Sequence, residues 1–393
     1  MNRTTGYLAS AAMLVFAVTN ATAVRADDGS NFASQRNAYV VNKLVSNLPN
    51  VAAFQDPILQ NAWGVAFSPA ASPFWIADNA TGCSTLYGGD GVKVTTVQVA
   101  IPLPGNVVPA TSCQPVDPKN PPNNAAPTGL VWNPSSAFVV PGTSIAASFI
   151  FATEDGTISA WANSIADPSH AVIAFDDSGN GAVYKGMVFG TNSKGVFLFA
   201  TNFHAGTVDV FGSPSPSSGG QYTKVTTDGD FTDPNLPAGY APFGIENIDG
   251  NLFVSYAQQD ANKHDDVSGP GHGLVDVFDT DGNLLRRFTS RGPLNSPWGM
   301  TRASFAFGRF SGDILIGNFG NGKINVFDSR GRFLDELDGP NGKPLVIDGV
   351  WKLTLGGGRT SNSDTLYFTA GPNDEKDGLF GTIAPTSANT SGN

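Results

Sequence analysis

The chain has 393 residues, including 46 glycines and 27 prolines, and only 14% of its residues are charged. That balance favours many short strands and tight turns over long surface helices. Lys and Arg number 22 against 33 Asp and Glu, a formal net charge of −11 with no Lys/Arg-rich run. This argues against a nucleic-acid groove or an anionic-lipid surface, since both need clustered cations to replace counterions.

The first 26 positions read as an export signal. Arg3 precedes an apolar run of 11 residues from Leu8 to Val18, followed by the small-residue sites Ala21-Thr22-Ala23 and Val24-Arg25-Ala26. A positive end, a short apolar core and small residues at the cleavage point are the layout of a secretory signal peptide. A bilayer span needs about 20 residues, so the run is too short for an anchor. Cleavage after Ala26 gives a mature chain from Asp27, without a membrane span, that is periplasmic or secreted. Two cysteines in an exported chain, Cys83 and Cys113, 30 positions apart, suggest one disulfide worth about 3 to 4 kcal/mol by loop closure.

One short pattern recurs along the chain. Thr157-Ile158-Ser159-Ala160-Trp161, Thr207-Val208-Asp209-Val210-Phe211, Leu274-Val275-Asp276-Val277-Phe278 and Lys323-Ile324-Asn325-Val326-Phe327 alternate apolar and polar, close on an aromatic and follow a glycine. Period-two alternation marks a half-exposed strand. Weaker copies follow Gly82 and Gly378, making six units. Upstream of each lies an apolar run, such as Phe74 to Ala77 or Val196 to Ala200, that suits a strand covered on both faces. Further upstream stand Trp63-Gly64, Thr128-Gly129, Lys185-Gly186, Phe243-Gly244, Trp298-Gly299 and Asp348-Gly349, at intervals of 65, 57, 58, 55 and 50 residues. Repeats of this length suit four-stranded blades, and the expectation is an all-β, six-bladed β-propeller over 27–383, followed by a disordered polar tail over 384–393. The last unit supplies only three strands, so the segment Tyr39 to Leu44 is expected to add its fourth and close the ring.

The segments Asn61-Ala62-Trp63-Gly64-Val65-Ala66, Trp75-Ile76-Ala77-Asp78-Asn79, Leu294-Asn295-Ser296-Pro297-Trp298-Gly299, Gly317-Asn318-Phe319-Gly320-Asn321-Gly322 and Leu366-Tyr367-Phe368-Thr369-Ala370-Gly371-Pro372 resemble an uncharacterised bacterial family of exported NHL-like propellers. Some of its members carry a C-terminal PEP-CTERM sorting tail; this chain lacks one, which implies release rather than sorting to the envelope. The resemblance implies fold and export and brings no catalytic residues.

In a four-stranded blade the connections from strand B to C and from D to A share one face. Polar residues ending successive B strands are therefore expected to ring one mouth of the central channel: Asp78, Asn79, Glu154, Asp155, Asn202, His204, Gln258, Gln259, Asn318 and the group Asn373-Asp374-Glu375. Trp63, Lys185, Trp298 and Trp351, close to the start of strand A, are expected to approach the same mouth, with the tryptophans as aromatic walls. Such a ring suits a small polar ligand or a hard cation, although Asx residues also serve tight turns. Blade four carries an insertion, 15 residues from Gln258 to Gly273 where Asn318 to Gly322 takes 4. Its Asp260, His264, Asp265 and Asp266 are candidate ligands for calcium or zinc, with a solvated acidic lid as the plainer reading. No G-x-S-x-G, H-E-x-x-H or G-x-x-x-x-G-K-[ST] motif is present.

The leading expectation is a monomeric binding module whose partner is a small molecule or an extracytoplasmic protein. The alternative is a divalent-metal-dependent hydrolase or lyase in which Asp78, Glu154, Asn202 and Asn318 hold the ion and His204 or Glu375 moves protons. A structural envelope protein is a third option. N-terminal sequencing of protein recovered from the medium or periplasm is expected to begin at Asp27, and a start at Met1 would contradict the export reading.

Overall fold

The computed structural model describes residues 36–386 apart from 71, 96, 118 and 215. The signal-peptide reading over 1–26 and positions 387–393 of the tail lie outside the described residues. Six antiparallel sheets are arranged as blades of a β-propeller, with three short 3-10 turns as the helical content of the described residues. From channel to rim, blade 1 runs through Ala62–Ala66, Phe74–Asp78, Cys83–Tyr87 and Val99–Ala100. Blade 2 comprises Pro127–Trp132, Phe149–Thr153, Thr157–Trp161 and Val172–Asp176, and blade 3 Tyr184–Asn192, Gly195–Asn202, Thr207–Gly212 and Thr223–Lys224. Blade 4 follows with Tyr240–Ile248, Asn251–Gln258, Leu274–Phe278 and Leu284–Ser290, then blade 5 with Pro297–Arg302, Ile314–Asn318, Ile324–Phe327 and Phe333–Glu336. Blade 6 takes Val350–Leu355, Leu366–Ala370 and Leu379–Pro385 from the C-terminal end and Tyr39–Ser46 from the N-terminal end.

Ring closure occurs as the sequence suggests. Tyr39–Ser46 pairs antiparallel with Leu379–Pro385, and the two ends of the described chain share one sheet. A two-residue strand, Phe54–Gln55, adds in parallel outside it, which the alternation pattern does not reveal.

All six innermost strands depart from regular pairing at one position. The register with strand B slips between Ala62 and Val65, Pro127 and Leu130, Tyr184 and Met187, Pro242 and Ile245, Pro297 and Met300, and Val350 and Leu353. Each slip is a bulge, which bends the strand and re-aims its side chains. The bulged pairs are Trp63-Gly64, Thr128-Gly129, Lys185-Gly186, Phe243-Gly244, Trp298-Gly299 and, in blade 6, Trp351-Lys352. The expected sixth pair, Asp348-Gly349, is therefore three residues out of register: Gly349 lies before the strand, at φ +63°, against the backbone of Gly371.

The five bulge glycines are needed because the next blade leaves no room for a side chain. A Cβ on Gly64 would lie 2.4 Å from the Thr128 carbonyl oxygen, on Gly244 2.2 Å from that of Trp298, and on Gly299 2.1 Å from that of Trp351. Strand B hydroxyls tie the same points together. Thr201 Oγ1 accepts from the Gly186 N–H (2.7 Å) and donates to the Phe243 carbonyl of the next blade (2.9 Å). Ser255 Oγ accepts from Gly244 N–H (2.9 Å) and donates to Pro297 O (2.6 Å), and Thr369 accepts from Lys352 N–H (3.2 Å) and donates to the Trp63 carbonyl of blade 1.

Between blades the apolar runs bury as face-to-face layers, for example Trp75, Leu130, Phe149 and Trp161 between blades 1 and 2. The repeated polar residue of strand C fastens the rim: Asp209 accepts from Tyr184 Oη (2.9 Å) and pairs with Lys224 (2.8 Å), and Asp276 pairs with Arg287. Cys83 and Cys113 are joined in a disulfide that pins the long connection between blades 1 and 2.

Gly244→Ala is expected to cost about 3 kcal/mol, because the obstructing atom is backbone and cannot rotate away. Gly250→Ala, at a turn with φ +86° and open space around it, should cost only about 1 kcal/mol from backbone strain. Urea denaturation of the two variants measures the difference.

Candidate functional site

The first residue of each bulged pair gives six positions around the axis: Trp63, Thr128, Lys185, Phe243, Trp298 and Trp351. Trp63 and Trp351 stack with ring centroids 3.5 Å apart, Trp298 meets both edge-on, and Phe243 meets Trp351 at 5.9 Å. Phe319 stacks on the other face of Trp351 at 4.0 Å, and Phe203 closes against Phe243. The channel is thus plugged by aromatic rings. The indole N–H groups of Trp63 and Trp298 are buried without a hydrogen-bond partner among the described residues. Thr128 takes no part in the plug and donates to Tyr184 O (2.7 Å).

Lys185 supplies the one cation of this ring. It is 2% exposed, its Nζ lies 5.2 Å from the Trp63 ring centroid, and it forms an ion pair with Glu154 at the start of the B to C turn of blade 2. Burial works against the ammonium, but the charge and hydrogen bond of Glu154, with the charges of Asp265 and Glu375, together outweigh it and hold the pKa above the ordinary lysine value. Asp265, from the inserted loop of blade 4, stands 3.6 Å from the same Nζ. His264 Nδ1 is 2.9 Å from Asp265 Oδ1, which raises the imidazole pKa and lowers that of the carboxyl. One ligand atom from each of Glu154, His264 and Asp265 falls within 4.8 Å of the others.

Blades 1 and 6 extend the network. Asn79 Nδ2 donates to Glu154 (2.9 Å), and Asn61 Nδ2 donates to Asn79 (3.1 Å) and to Glu375 (2.6 Å). Trp351 Nε1 donates to Asn61 Oδ1 (3.2 Å), which couples plug and network. Burial and the nearby charge of Glu154 push the Glu375 carboxyl up to about 7. The mouth therefore gathers three carboxylates, Glu154, Asp265 and Glu375, around one buried ammonium and one histidine, over an aromatic floor.

Of the residues expected here, Asn79, Glu154, His264 and Asp265 meet, with Trp63, Trp298 and Trp351 beneath. Asp78 does not join them: it is fully buried inside blade 1 beside Thr85, Asp56 and Lys93, and burial raises its pKa well above the usual carboxylate range. Alternation along the strand turns it into the blade while Asn79 turns to the mouth. Asn202 and Asn318 are spent on structure: Asn202 donates to Asp209 (3.1 Å), and Asn318 accepts from the Asn295 N–H (2.9 Å). His204 stands beside Gly181, and Gln258 meets the inserted loop through its carbonyl, which accepts from Val267 N–H (2.8 Å). Asp260 caps its own loop by accepting from the His264 N–H (2.8 Å), and Asp266 packs beside Ser296 with a pKa raised by burial. Lys185 and Glu375, also expected near this mouth, lie in the network, while Asn61 was not among the expected residues. The sequence signal for Lys185 is a charged residue at a repeat position that is otherwise aromatic or hydroxyl-bearing.

A carboxyl with a raised folded-state pKa binds its proton more tightly when folded, so stability is fullest below the unfolded value and falls as pH rises through the folded one. The melting temperature is expected to decline from pH 4.5 to about 7 through Glu375, and Glu375→Gln should flatten that decline in a calorimetric pH series.

No family model matches the chain. Among curated proteins, it is 32% identical over 350 residues to the uncharacterised protein R648 of Acanthamoeba polyphaga mimivirus, covering 87% of this chain and 79% of that one. It is 33% identical over 348 residues to the uncharacterised protein L690 of the same virus, covering 87% and 85%. Among solved structures, a protein of unknown function from Bacteroides thetaiotaomicron overlays with a TM-score of 0.51 at 12% identity, covering 88% of this chain and 76% of that one, a likeness of fold alone. The expectation of a bacterial family is not supported, since these relatives by sequence are viral. At this identity and coverage, the chain belongs to one family with the mimivirus proteins R648 and L690.

Proposed function

We propose that the chain is a binding module whose channel mouth holds a small ligand or a partner side chain bearing a cationic group. The observation that carries this reading is the excess of carboxylate at the mouth: Glu154, Asp265 and Glu375 surround Lys185 and His264, so a negative charge is left to be matched once Glu375 has released its proton. Partial burial keeps the attraction from being screened as it is at an open surface. The disulfide fits an oxidising, extracytoplasmic setting, in line with an exported module. Among the described residues no helix is long and apolar enough to cross a membrane.

A second reading is favoured by one observation, the approach of Glu154, His264 and Asp265 to within 4.8 Å. Two carboxylates and an imidazole are a donor set suited to zinc or another divalent ion. Such an ion would supply an acidified bound water for a hydrolase or lyase. In this chain Lys185 already neutralises Glu154, so an ion would compete with the ammonium, while Glu375 could hold or release a proton near pH 7.

Calorimetric titration of the full chain with spermidine, calcium and zinc separates the two. Spermidine binding that Glu154→Gln weakens about tenfold, the loss of one charge-assisted contact, supports the module. Zinc or calcium retained through chelator-free purification, with a lower melting temperature after chelation, moves the metal reading ahead. Absence of heat with all three probes overturns both.

A further inference from the structure

In blade 3 the outermost strand, Thr223–Lys224, covers only the last part of the strand inside it, Thr207–Gly212. It pairs with Phe211 and Gly212, and the Val225 N–H adds one bond to Val210 O (2.8 Å). The chain then leaves the edge, so Thr207, Val208 and Asp209 have no outer partner strand among the described residues. The other five blades cover the corresponding place. Cys83 pairs with Ala100, Thr157 with Asp176, Leu274 with Ser290 and Leu379 with Ser46, and Ile324 O accepts from the Leu337 N–H (2.9 Å). Successive residues of an antiparallel strand turn their main-chain groups to opposite sides. Val210 O is bonded on the outer side, so the N–H and C=O of Val208, two residues earlier, turn to that side as well. One donor and one acceptor thus stand at an open edge, the arrangement that pairs with another chain.

The open edge borders a groove of about 410 Å³. Val208, Val210, Val225 and Phe231 supply its apolar lining, and Asp228 and Asp230 its charges, with no Lys or Arg among the lining residues. Lys194 reaches Asp228 from outside the groove (2.6 Å), but both side chains are more than half exposed, so water and salt screen that pair. Asp230 Oδ1 accepts from the Thr232 N–H (3.2 Å), and no cation pairs with it among the described residues. Lys224, on the short outer strand, is already held by Asp177 (2.6 Å) and Asp209 (2.8 Å). The segment that carries the two aspartates is fixed in place. Gly229 N–H donates to Asp281 O (2.7 Å) and Phe231 N–H to Gly282 O (3.1 Å), while the Phe231 ring packs against Phe199 and Phe278 with centroids 5.5 and 5.3 Å away. An unpaired donor and acceptor of the main chain, an apolar floor and two exposed carboxylates therefore border one groove.

We propose that an extended, basic segment of a partner protein completes blade 3 by adding as a strand along Thr207 to Asp209. Its main chain bonds the N–H and C=O of Val208, its apolar side chains lie toward Val208 and Phe231, and its lysines or arginines face Asp228 and Asp230. In strand addition the main-chain bonds give affinity and the places for alternate side chains give specificity. The proposal is independent of the reading of the channel mouth, since it uses the rim of blade 3. It is tested by fluorescence anisotropy of the full chain with a short labelled peptide that alternates valine and lysine. Binding is expected to fall as salt rises. The Asp228→Asn, Asp230→Asn double variant should weaken it about tenfold by loss of opposing charge, with unchanged melting because both side chains are exposed. Val208→Pro removes the outward N–H and should abolish binding. Methylating the backbone nitrogens of the peptide removes its main-chain donors and should weaken binding about tenfold or more, a test that holds even where Val208→Pro melts early. The proposal is overturned by absence of binding to the wild type, by equal binding of the methylated peptide, by equal binding of a peptide that alternates valine and glutamate, or by binding that survives both sets of substitutions.

Discussion

The contact on which this molecule depends is the approach of neighbouring innermost strands at the bulges. There, in five of the six blades, a glycine lies against the backbone of the next blade within a distance that no side chain could share. Strand B hydroxyls convert that approach into directed bonds, each accepting from its own blade and donating to the following one. A bulge places consecutive residues out of step with the ladder, so the residue before the glycine is turned to the axis. The same geometry that lets blades close together therefore decides what fills the channel.

What fills it explains the character of the site. Four aromatic residues, one threonine and one lysine occupy these six positions, and the lysine brings charge into an interior where charge is costly to leave unpaired, as does Lys352 of blade 6, which pairs with Glu246 of blade 4. Glu154 answers Lys185 directly and Asp265 from the side, while Asn61, Asn79 and Glu375 form a polar collar joined to the plug through Trp351. The inserted loop of blade 4 contributes because Asp260 folds it back on itself, presenting His264 and Asp265 toward Lys185.

Much of this was legible in the sequence where the signal was periodic. The alternating strand C pattern and its preceding glycine placed the blades, and the three-strand last unit implied closure by the N-terminal segment. The sixth anchor failed because blade 6 has Lys352 where the others have glycine, so the eye settles on Gly349 instead. Asp78 and Asn79 show the limit for the site: adjacent, both polar and both ending a strand, they point to opposite sides, and only the pleat decides which meets the mouth.

By itself the sequence determined the number of blades, the strand order and the cysteine pairing, because these follow from local periodicity and from chain connectivity. Tertiary structure alone decided which polar residues meet. Lys185 and Glu154 are 31 positions apart, and Asn61 and Glu375 are 314. Their encounters follow from the closing of a ring, which sets distances that no local pattern encodes.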